Sequence, residues 1–290
     1  MIIYTKLFKS VLMVMLSVNE GCLDNDRIIL NDPQIYNQIQ LNPWLDEYFI
    51  EDKKFNNIED NLIYNDCLEV VYKYQYEKNG EIKYFLQDIP FGHWDFIDQD
   101  SLNKGFGVKT FKLTAPIPRR DIDKRKQSNV LYEFFDSKNR AISRETTGVV
   151  ENYRNIVIHN PRTGFFMPLF SSFPWPAIKF PIEQNKTWTW SFTFSYGDDR
   201  FFNWKGGLTE MKYSYSYQGE SMLNLPFGKI ATSKFEALAT NGIIKNKLVY
   251  HFNSQIGFVK QEFYTHDGAT IVIEAVDYVS KCEHKTLKTR

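Results

Sequence analysis

The sequence predicts an all-β protein, built as a large curved antiparallel sheet or open β-barrel. Three observations support this fold class. Apolar and polar residues alternate over short segments, tight-turn pairs such as Asn79-Gly80, Asn241-Gly242 and Asp267-Gly268 separate those segments, and no stretch shows a sustained helical period. Aromatic residues, which favour strands, make up 16% of the chain and point the same way.

Residues 1–21 are predicted to be a secretory signal peptide. Lys6 and Lys9 precede an apolar run from Val11 to Leu16, and Cys22 follows. A basic start and a short apolar run before a cysteine are typical of a bacterial lipoprotein, whose cysteine carries the lipid. The run is too short to cross a bilayer, which needs about 20 residues. We therefore expect a chain lipidated at Cys22 in the cell envelope, on the outer membrane and facing the periplasm or the surface. Secretion without lipid, or a cytosolic protein whose N-terminus is a strand or helix, are the alternatives.

Residues 22–60 show no sustained period and are predicted to be a tether and lead-in, with one short helix near Trp44–Ile50. Residues 61–290 are expected to form a single β-rich domain, with 61–160 and 182–280 as candidate halves. The first predicted hairpin joins Leu68–Tyr76 to Ile82–Leu86, because Asn-Gly tolerates the positive φ of a tight turn. Further strands are predicted at Val130–Phe135, Ala141–Thr147, Asn152–His159, Trp188–Phe194, Met211–Tyr217, Phe235–Thr240, Ile244–Phe252, Gly257–Tyr264 and Thr270–Tyr278.

Two segments interrupt this series of hairpins, Asn103–Lys126 and Phe165–Pro181. The second holds four prolines among many aromatic residues, and proline cannot donate a hydrogen bond to a strand ladder. We therefore expect a long proline-aromatic loop. Because exposing so many aromatic side chains is unfavourable, the loop either folds back to plug the open mouth of the sheet, which we favour, or lines a site for an apolar guest.

The three cysteines become two once Cys22 is assigned to the lipid. Cys67 and Cys282 then form an even pair in an oxidising compartment, where disulfides persist. A bridge would join the first strand of the body to its tail. Two unpaired thiols are the alternative, which we favour slightly because the geometry is not known from sequence.

Composition and motifs exclude several functional classes. Basic and acidic residues balance at 35 each, so nothing attracts nucleic acid. The five histidines show no paired spacing and no C-x-x-C occurs, so we expect neither a metal nor another cofactor. No G-x-S-x-G is present. The acids Asp95, Asp98 and Asp100 could suggest glycosidase chemistry, but a solvated turn is the simpler interpretation. The sequence predicts a protein that is not an enzyme.

The C-terminal part resembles a known group of bacterial proteins. Trp188-Thr189-Trp190, Tyr215-Ser216-Tyr217-Gln218-Gly219-Glu220, Pro226-Phe227-Gly228, Phe235 and Gly257-Phe258-Val259-Lys260 follow one another in an order similar to that of the TapB-like family of secreted proteins and lipoproteins of unknown function. The resemblance covers about residues 182–279. It implies an open, curved sheet like those of lipoprotein carriers, and it carries over no catalytic residue.

Two functional hypotheses follow. The first is a non-enzymatic envelope lipoprotein, anchored to a membrane through Cys22, whose curved sheet binds either an apolar small molecule or a protein partner. The second is a carbohydrate-binding or carbohydrate-processing module that uses exposed Trp and Tyr side chains. For Trp94, Trp175 and Trp204, which could stack on a sugar, burial in the core is the simpler interpretation. The candidate ligand-binding residues are Trp94, Phe166, Phe170, Trp175, Trp188, Trp190 and Trp204.

Overall fold

The computed structural model describes residues 63–65, 67–87, 94–115, 128–151, 155–161, 170, 172–196 and 207–280. The chain divides into two units, Met1–Glu51 and Asp52–Arg290, and all described residues belong to the second. The predicted signal peptide, tether, short helix near Trp44–Ile50 and lipidated Cys22 lie outside the described residues.

The described residues form an almost purely antiparallel β structure, as the sequence predicts. One short helix, α1, spans Gln99–Asn103. The strands are β1 (Leu68–Lys78), β2 (Glu81–Gln87), β3 (Trp94–Ile97), β4 (Thr110–Thr114), β5 (Ser128–Phe135), β6 (Ala141–Glu151), β7 (Asn155–Ile158), β8 (Ala177–Lys179), β9 (Thr187–Tyr196), β10 (Gly207–Leu225), β11 (Gly228–Thr240), β12 (Lys245–Asn253), β13 (Gly257–Tyr264) and β14 (Thr270–Ser280).

All fourteen strands belong to one connected sheet. The main order is β8-β7-β6-β5-β4-β1-β14-β13-β12-β11-β10-β9, and β2 and β3 branch from the far end of β1. Among the described strands, β1 and β14 are the pair that joins the N-terminal strands, β1–β8, to the C-terminal strands, β9–β14. We call this pair the seam. The two candidate halves of the domain therefore share one sheet.

Turn chemistry explains why consecutive strands pair. Asn79 and Gly80, between β1 and β2, have φ of 55° and 79°, which is the left-handed geometry that two-residue hairpins require. The β10–β11 hairpin turns at Pro226-Phe227, where Leu225 lies opposite Gly228. The hairpins predicted from alternation around Asn-Gly and Asp-Gly pairs are all present among the described strands.

Alternation along each strand separates two faces of the sheet. On β1, Val70, Tyr72 and Tyr74 are buried, whereas the intervening Lys73 is exposed. We call the buried side the inner face; it includes Tyr215, Phe235, Tyr250, Phe263 and Ile273. The opposite side, which we call the outer face, carries charged residues such as Lys73, Lys112, Lys247, Lys260 and Glu274.

The structure adds elements that alternation did not predict. Strand β4 lies within Asn103–Lys126, which was expected to interrupt the sheet, and β8 lies within the proline-aromatic segment. Both strands are short. Strand β4 is defined by its pairing with β1 and β5, and β8 by its pairing with β7. Strand β10 is also much longer than predicted. Its first part, Gly207–Ser216, pairs with β9, and the strand continues to Leu225 through its pairing with β11.

Candidate functional site

The inner face is the candidate site because a curved sheet would receive a guest there. Two chain segments lie on it. We call residues 63–65 the N-terminal segment and residues 172–179 the central segment. Each segment is held by polar side chains of the sheet, and together they cover part of the inner face.

The N-terminal segment is held at both ends. The Glu151 carboxylate, at the end of β6, accepts hydrogen bonds from the backbone N–H groups of Ile63 and Tyr64, at 3.0 and 2.9 Å. At the other end, Tyr64 Oη accepts a hydrogen bond from the backbone N–H of Phe258 on β13, at 3.2 Å. Strands β6 and β13 are five strand spacings apart in the sheet order, which in a flat sheet would be about 24 Å. A single residue reaches both because the sheet curves around it.

Gly257 permits this close contact. Its φ is +90°, and an added Cβ would lie 2.4 Å from Tyr64 Oη. A side chain at this position would be strained by the backbone conformation and would also collide with the phenol. Nearby, Tyr72 Oη donates to the carbonyl of Phe258 at 2.9 Å. The start of β13 is thus tied to two buried tyrosines.

The central segment is held by side chains of β9, β10 and β12. The Tyr250 hydroxyl donates to the Ala177 carbonyl, and the Tyr215 hydroxyl donates to the Trp175 carbonyl at 3.2 Å. Trp190 Nε1 donates to the Tyr215 hydroxyl at 3.0 Å. These bonds satisfy backbone carbonyls that would otherwise be buried without a partner.

The same bonds show how far the sheet curls. Ala177 belongs to β8, an edge strand that pairs with β7, yet its carbonyl is bonded to Tyr250 on β12. One edge of the sheet therefore lies over the inner face of the opposite part. Asn246 on β12 adds a further contact, since its Nδ2 donates to Ser172 Oγ at 2.8 Å.

Aromatic packing completes the contact between this region and the sheet. The Phe170 and Phe173 rings lie 4.5 and 5.2 Å from the ring of Phe263 on β13, centroid to centroid. Both phenylalanines are almost fully buried. These two residues therefore pack against the inner face of the sheet. Residues 162–169 and 171, including Phe166, lie outside the described part of the chain.

Burial governs the protonation of the inner tyrosines. Desolvation raises the pKa of Tyr72, Tyr74 and Tyr250 far above the ordinary value for a phenol. It also raises the pKa of Tyr64, with a smaller contribution from the neighbouring Tyr72. At the end of β1, burial and then Asp267 raise the pKa of Tyr76 to about 12. These phenols stay neutral at physiological pH and serve as hydrogen-bonding groups.

The described tryptophans among the predicted ligand-binding residues are part of this core. Trp188 stacks on Tyr215 with ring centroids 5.1 Å apart and is 8% exposed. Trp190 stacks on Tyr213 at 4.5 Å and is also buried. Trp175 is half-buried, with its ring 4.0 Å from that of His159. The backbone of Trp94 pairs with Gln87 in the β2–β3 hairpin, whereas its side chain, and all of Trp204, lie outside the described residues.

Cys67, at the start of β1, is disulfide-bonded. It is therefore not a free thiol. The other two cysteines, Cys22 and Cys282, both lie outside the described residues.

The outer face is covered by ion pairs between neighbouring strands. Lys112 Nζ lies 3.6 Å from a Glu69 oxygen and 3.4 Å from a Glu133 oxygen, and Lys73 Nζ lies 2.8 Å from Glu274. These side chains are partly exposed to solvent. Partly exposed pairs contribute little to stability, typically about 1 kcal/mol or less.

His251 is the buried titratable group of the outer face. Its Nδ1 lies 3.1 Å from Ser221 Oγ and 3.2 Å from Thr232 Oγ1, both on the β10–β11 hairpin. Burial lowers the pKa of His251; Glu262 opposes this effect, and Lys234 and Lys260 reinforce it. The imidazole therefore has hydroxyl partners within the β10–β12 part of the sheet.

Other candidate chemical groups have structural roles. Asp98 caps α1, because its carboxylate accepts a hydrogen bond from the Ser101 N–H at 2.7 Å, and the pKa of Asp98 is lowered by hydrogen bonds from Ser101. Within the described ranges, no group of three or more His, Cys, Asp or Glu side chains is arranged to hold a metal ion. No helix in the same ranges is long and apolar enough to cross a membrane.

Sequence reasoning missed the polar residues that fix the N-terminal segment. Neither Tyr64 nor Glu151 stood out in the sequence, and Gly257 was predicted only as the start of a strand. The one available signal was Glu151, a charged residue that directly follows the apolar pair Val149-Val150. Its partners are 88 and 87 residues away in the chain, so local patterns could not identify them.

No family model matches this chain, and no curated protein matches it either. The TapB-like assignment is therefore not supported by a family model. Three solved structures resemble the fold. One, from Bacteroides fragilis NCTC 9343, is provisionally described as an exported protein with a YmcC-like fold; its TM-score is 0.39 at 9% identity, over 75% of this chain and 97% of that one.

The second structure is provisionally described as a lipoprotein from Parabacteroides distasonis ATCC 8503, with a TM-score of 0.43 at 8% identity, over 75% of this chain and 97% of that one. The third is the hypothetical lipoprotein YmcC from Escherichia coli (K12), with a TM-score of 0.31 at 9% identity, over 77% of this chain and 92% of that one. These scores are too low to transfer a function or a location to this chain.

Proposed function

We propose that this chain is a non-enzymatic lipoprotein of the bacterial cell envelope, held on a membrane by lipid on Cys22, and that it binds a partner protein. The observation that carries the preference for a protein partner is the covered inner face. The N-terminal and central segments lie on the inner face, where a guest bound by the curved sheet would make contact. Side chains of the sheet form hydrogen bonds with the backbone of both segments.

The contacts on the inner face also make the alternatives less favourable. An apolar guest would have to displace Phe170 and Phe173 from Phe263, at the cost of exposing their apolar surface. A sugar would need an open aromatic face, but Trp188 and Trp190 already stack on Tyr215 and Tyr213.

The absence of enzymatic activity is part of the proposal. It is supported by the roles of the titratable groups with shifted pKa. The buried phenols bond to backbone groups of the chain itself, and the acids with a lowered pKa, Asp98, Asp136 and Asp267, accept hydrogen bonds within a helix cap or turns. Such groups stabilise loops and do not require a substrate.

The anchor is tested by metabolic labelling of cells with a clickable fatty acid. The wild-type chain should carry the label and sediment with membranes. Cys22→Ser should lose both properties, whereas Cys67→Ser, the matched control, should keep the label. A labelled Cys22→Ser protein, or an unlabelled wild type, would refute lipidation at Cys22.

The partner is tested by lysine cross-linking in intact cells, followed by mass spectrometry. The outer-face residues Lys73, Lys112, Lys247 and Lys260 offer reactive groups on several strands. We expect repeated cross-links from this face to the same envelope protein. Cross-links confined to this chain, in samples where neighbouring envelope proteins do cross-link to one another, would count against a protein partner.

A further inference from the structure

We infer that a second copy of this chain pairs with the free edge of β10, so that the β10 strands of two copies join their sheets. The pairing involves the far part of the β10–β11 hairpin, Gly219–Leu225 on β10 and Gly228–Thr232 on β11, which we call the arm. The inference goes beyond the proposed function, because the occupant of this edge is the chain itself and not another envelope protein.

One edge of the arm has no partner among the described strands. Strand β9 pairs with β10 as far as Ser216, which lies opposite Thr187. One further bond on that side joins the Tyr217 N–H to the Lys186 carbonyl, at 3.2 Å. Over Gly219–Leu225 the described partner of β10 is β11 alone. An unpaired strand edge is a template for another strand.

The turn of the arm fixes which backbone groups point to this edge. Leu225 and Gly228 close a two-residue loop, and the closing pair of such a loop exchanges both ladder hydrogen bonds. Because the bonding side alternates along an antiparallel strand, Leu223 and Ser221 also bond towards β11. The residues whose N–H and C=O groups point to the free edge are Glu220, Met222 and Asn224.

These edge residues form a pattern that is complementary to itself. Met222 lies at the centre and is 54% exposed, with Glu220 two residues before it and Asn224 two residues after it. In antiparallel pairing about a two-fold axis at Met222, each Met222 lies opposite its copy, and Glu220 lies opposite Asn224 of the second copy. The thioethers then make an apolar contact, the amide donates to the carboxylate, and no like charges meet.

The same register satisfies the edge backbone and needs no rearrangement of Glu220. Each N–H and C=O group that points to the edge gains a partner on the second copy. The Glu220 carboxylate is oriented by Tyr217 Oη and Ser233 Oγ, which both donate to its Oε1. A bond from the Asn224 amide of the second copy to Oε2 is compatible with both of these bonds.

The edge lacks the residues that usually prevent such pairing. Many proteins place lysines, prolines or bulges on an exposed edge strand, because these block a second strand. Residues Gly219–Leu225 include no lysine, arginine or proline, and their single charge is that of Glu220. The bulge of β10, between Tyr217 and Gly219, and Pro226 lie at the two ends of this run. A regular stretch of edge therefore lies between them.

Contacts with the rest of the sheet hold the arm in place. At its tip, the Phe227 ring lies 5.0 Å from the ring of Tyr278, on β14 of the seam. Closer to its base, Asn253 Nδ2 donates to the Ala231 carbonyl at 3.0 Å, and His251 contacts hydroxyl groups of both arm strands. An edge that is already held in an extended conformation loses little conformational freedom when it pairs.

Sedimentation of the full-length chain, in a detergent matched in density to the buffer, tests the dimer. One short strand pair buries less than the roughly 1,200 Å² of a standard interface. We therefore expect monomers at about 1 µM and mostly dimers at about 300 µM, with a Kd on the order of tens of micromolar. A wild-type chain that stays monomeric over this range would overturn the inference.

Met222→Pro removes the central donor of the free edge. Its N–H points away from β11, so proline at this position leaves the ladder of the arm intact. We expect a monomer at every concentration with an unchanged circular dichroism spectrum. Met222→Val, the matched control, keeps the N–H and should keep the dimer. A folded Met222→Pro chain that dimerises like the wild type would overturn the inference.

A charge exchange tests the register without proline. Asn224→Glu places a carboxylate opposite Glu220 of the second copy on both sides of the axis, and should raise the dimer Kd by about tenfold at low salt. The double variant Glu220→Lys, Asn224→Glu makes both pairs attractive and should restore the dimer. A dimer that neither change alters would overturn this register. In cells, cross-links between two copies of this chain and to no other protein would support this inference while contradicting the proposed partner.

Discussion

On β1, Tyr72 and Tyr74 face inward and are 3% exposed, whereas the side chain of Lys73 between them is 54% exposed on the outer face. The side chains on the two faces of this strand therefore have different surroundings. Inner residues meet the chain's own segments, where each polar group needs a defined partner. Outer residues meet neighbouring charges and water, which can replace any one contact. We conclude that the inner face determines the fold and that the outer face tolerates change.

Raising the pH should produce the largest difference between the faces. A phenol whose folded pKa lies above its unfolded pKa of about 10 contributes full stability below that pH and loses it as the pH rises further. Burial raises the pKa of Tyr64, Tyr72, Tyr74 and Tyr250. We expect these phenols to ionise only as the sheet unfolds, so absorbance at 295 nm and circular dichroism should change together. If all 17 tyrosines titrated near their ordinary pKa with the sheet intact, the inner face would be open.

Gly257→Ala should be the most damaging single substitution on the inner face. The new Cβ would be strained at a φ of +90° and would lie 2.4 Å from Tyr64 Oη. Together these effects should lower the free energy of unfolding by about 3 kcal/mol. The matched control is Gly268→Ala, where φ is +85° but nothing lies within 4 Å, with an expected loss of about 1 kcal/mol. Equal losses in urea unfolding would refute the close contact with Tyr64.

Glu151→Ala compares the two faces directly when it is paired with Glu274→Ala. The first substitution leaves the buried N–H groups of Ile63 and Tyr64 without this acceptor, and should cost about 3 kcal/mol. The second removes an outer-face ion pair with Lys73 and should cost less than about 1 kcal/mol. Urea midpoints measured at one pH provide the comparison. A larger effect at Glu274 would reverse the proposed roles of the two faces.

We expect the smallest change in stability from His251→Asn, a substitution on the outer face. Its folded pKa is below the ordinary value of 6.5. Its neutral form therefore contributes stability above that pH, and the contribution is lost as the pH falls through 6.5 towards the folded pKa. The stability difference between wild type and His251→Asn should shrink in that window. The pKa values of Asp98, Asp136 and Asp267 are lowered from the ordinary value of 3.8, so these carboxyl groups do not titrate in the same window. A stability difference that does not depend on pH would refute burial of the imidazole.

The sequence predicted the hairpins well because their information is local. Alternation and positive-φ turn pairs such as Asn79-Gly80 lie within a few residues of the strands that they join. Strand β4 was missed because Thr110–Thr114 is short and lies between glycines and a proline, so that only pairing with β1 and β5 defines it. Strand β8 depends in the same way on β7 and on the hydroxyl of Tyr250.

The candidate site was harder to predict than the sheet. The plug could be anticipated, because many apolar rings in one loop must be buried somewhere. What holds the segments could not, since Glu151, Tyr64 and Phe258 meet only after the sheet has curved. The same curvature moves Trp188 and Trp190 from candidate binding residues into the core.

Native mass spectrometry of the full-length protein, extracted gently from its source, tests the covered inner face most directly. If the two segments fill the inner face, the spectrum should show the polypeptide with its covalent lipid, alone or with a bound protein. A stoichiometric non-covalent lipid or other apolar small molecule, retained by the wild type and lost when Tyr250→Phe loosens the central segment, would contradict the account.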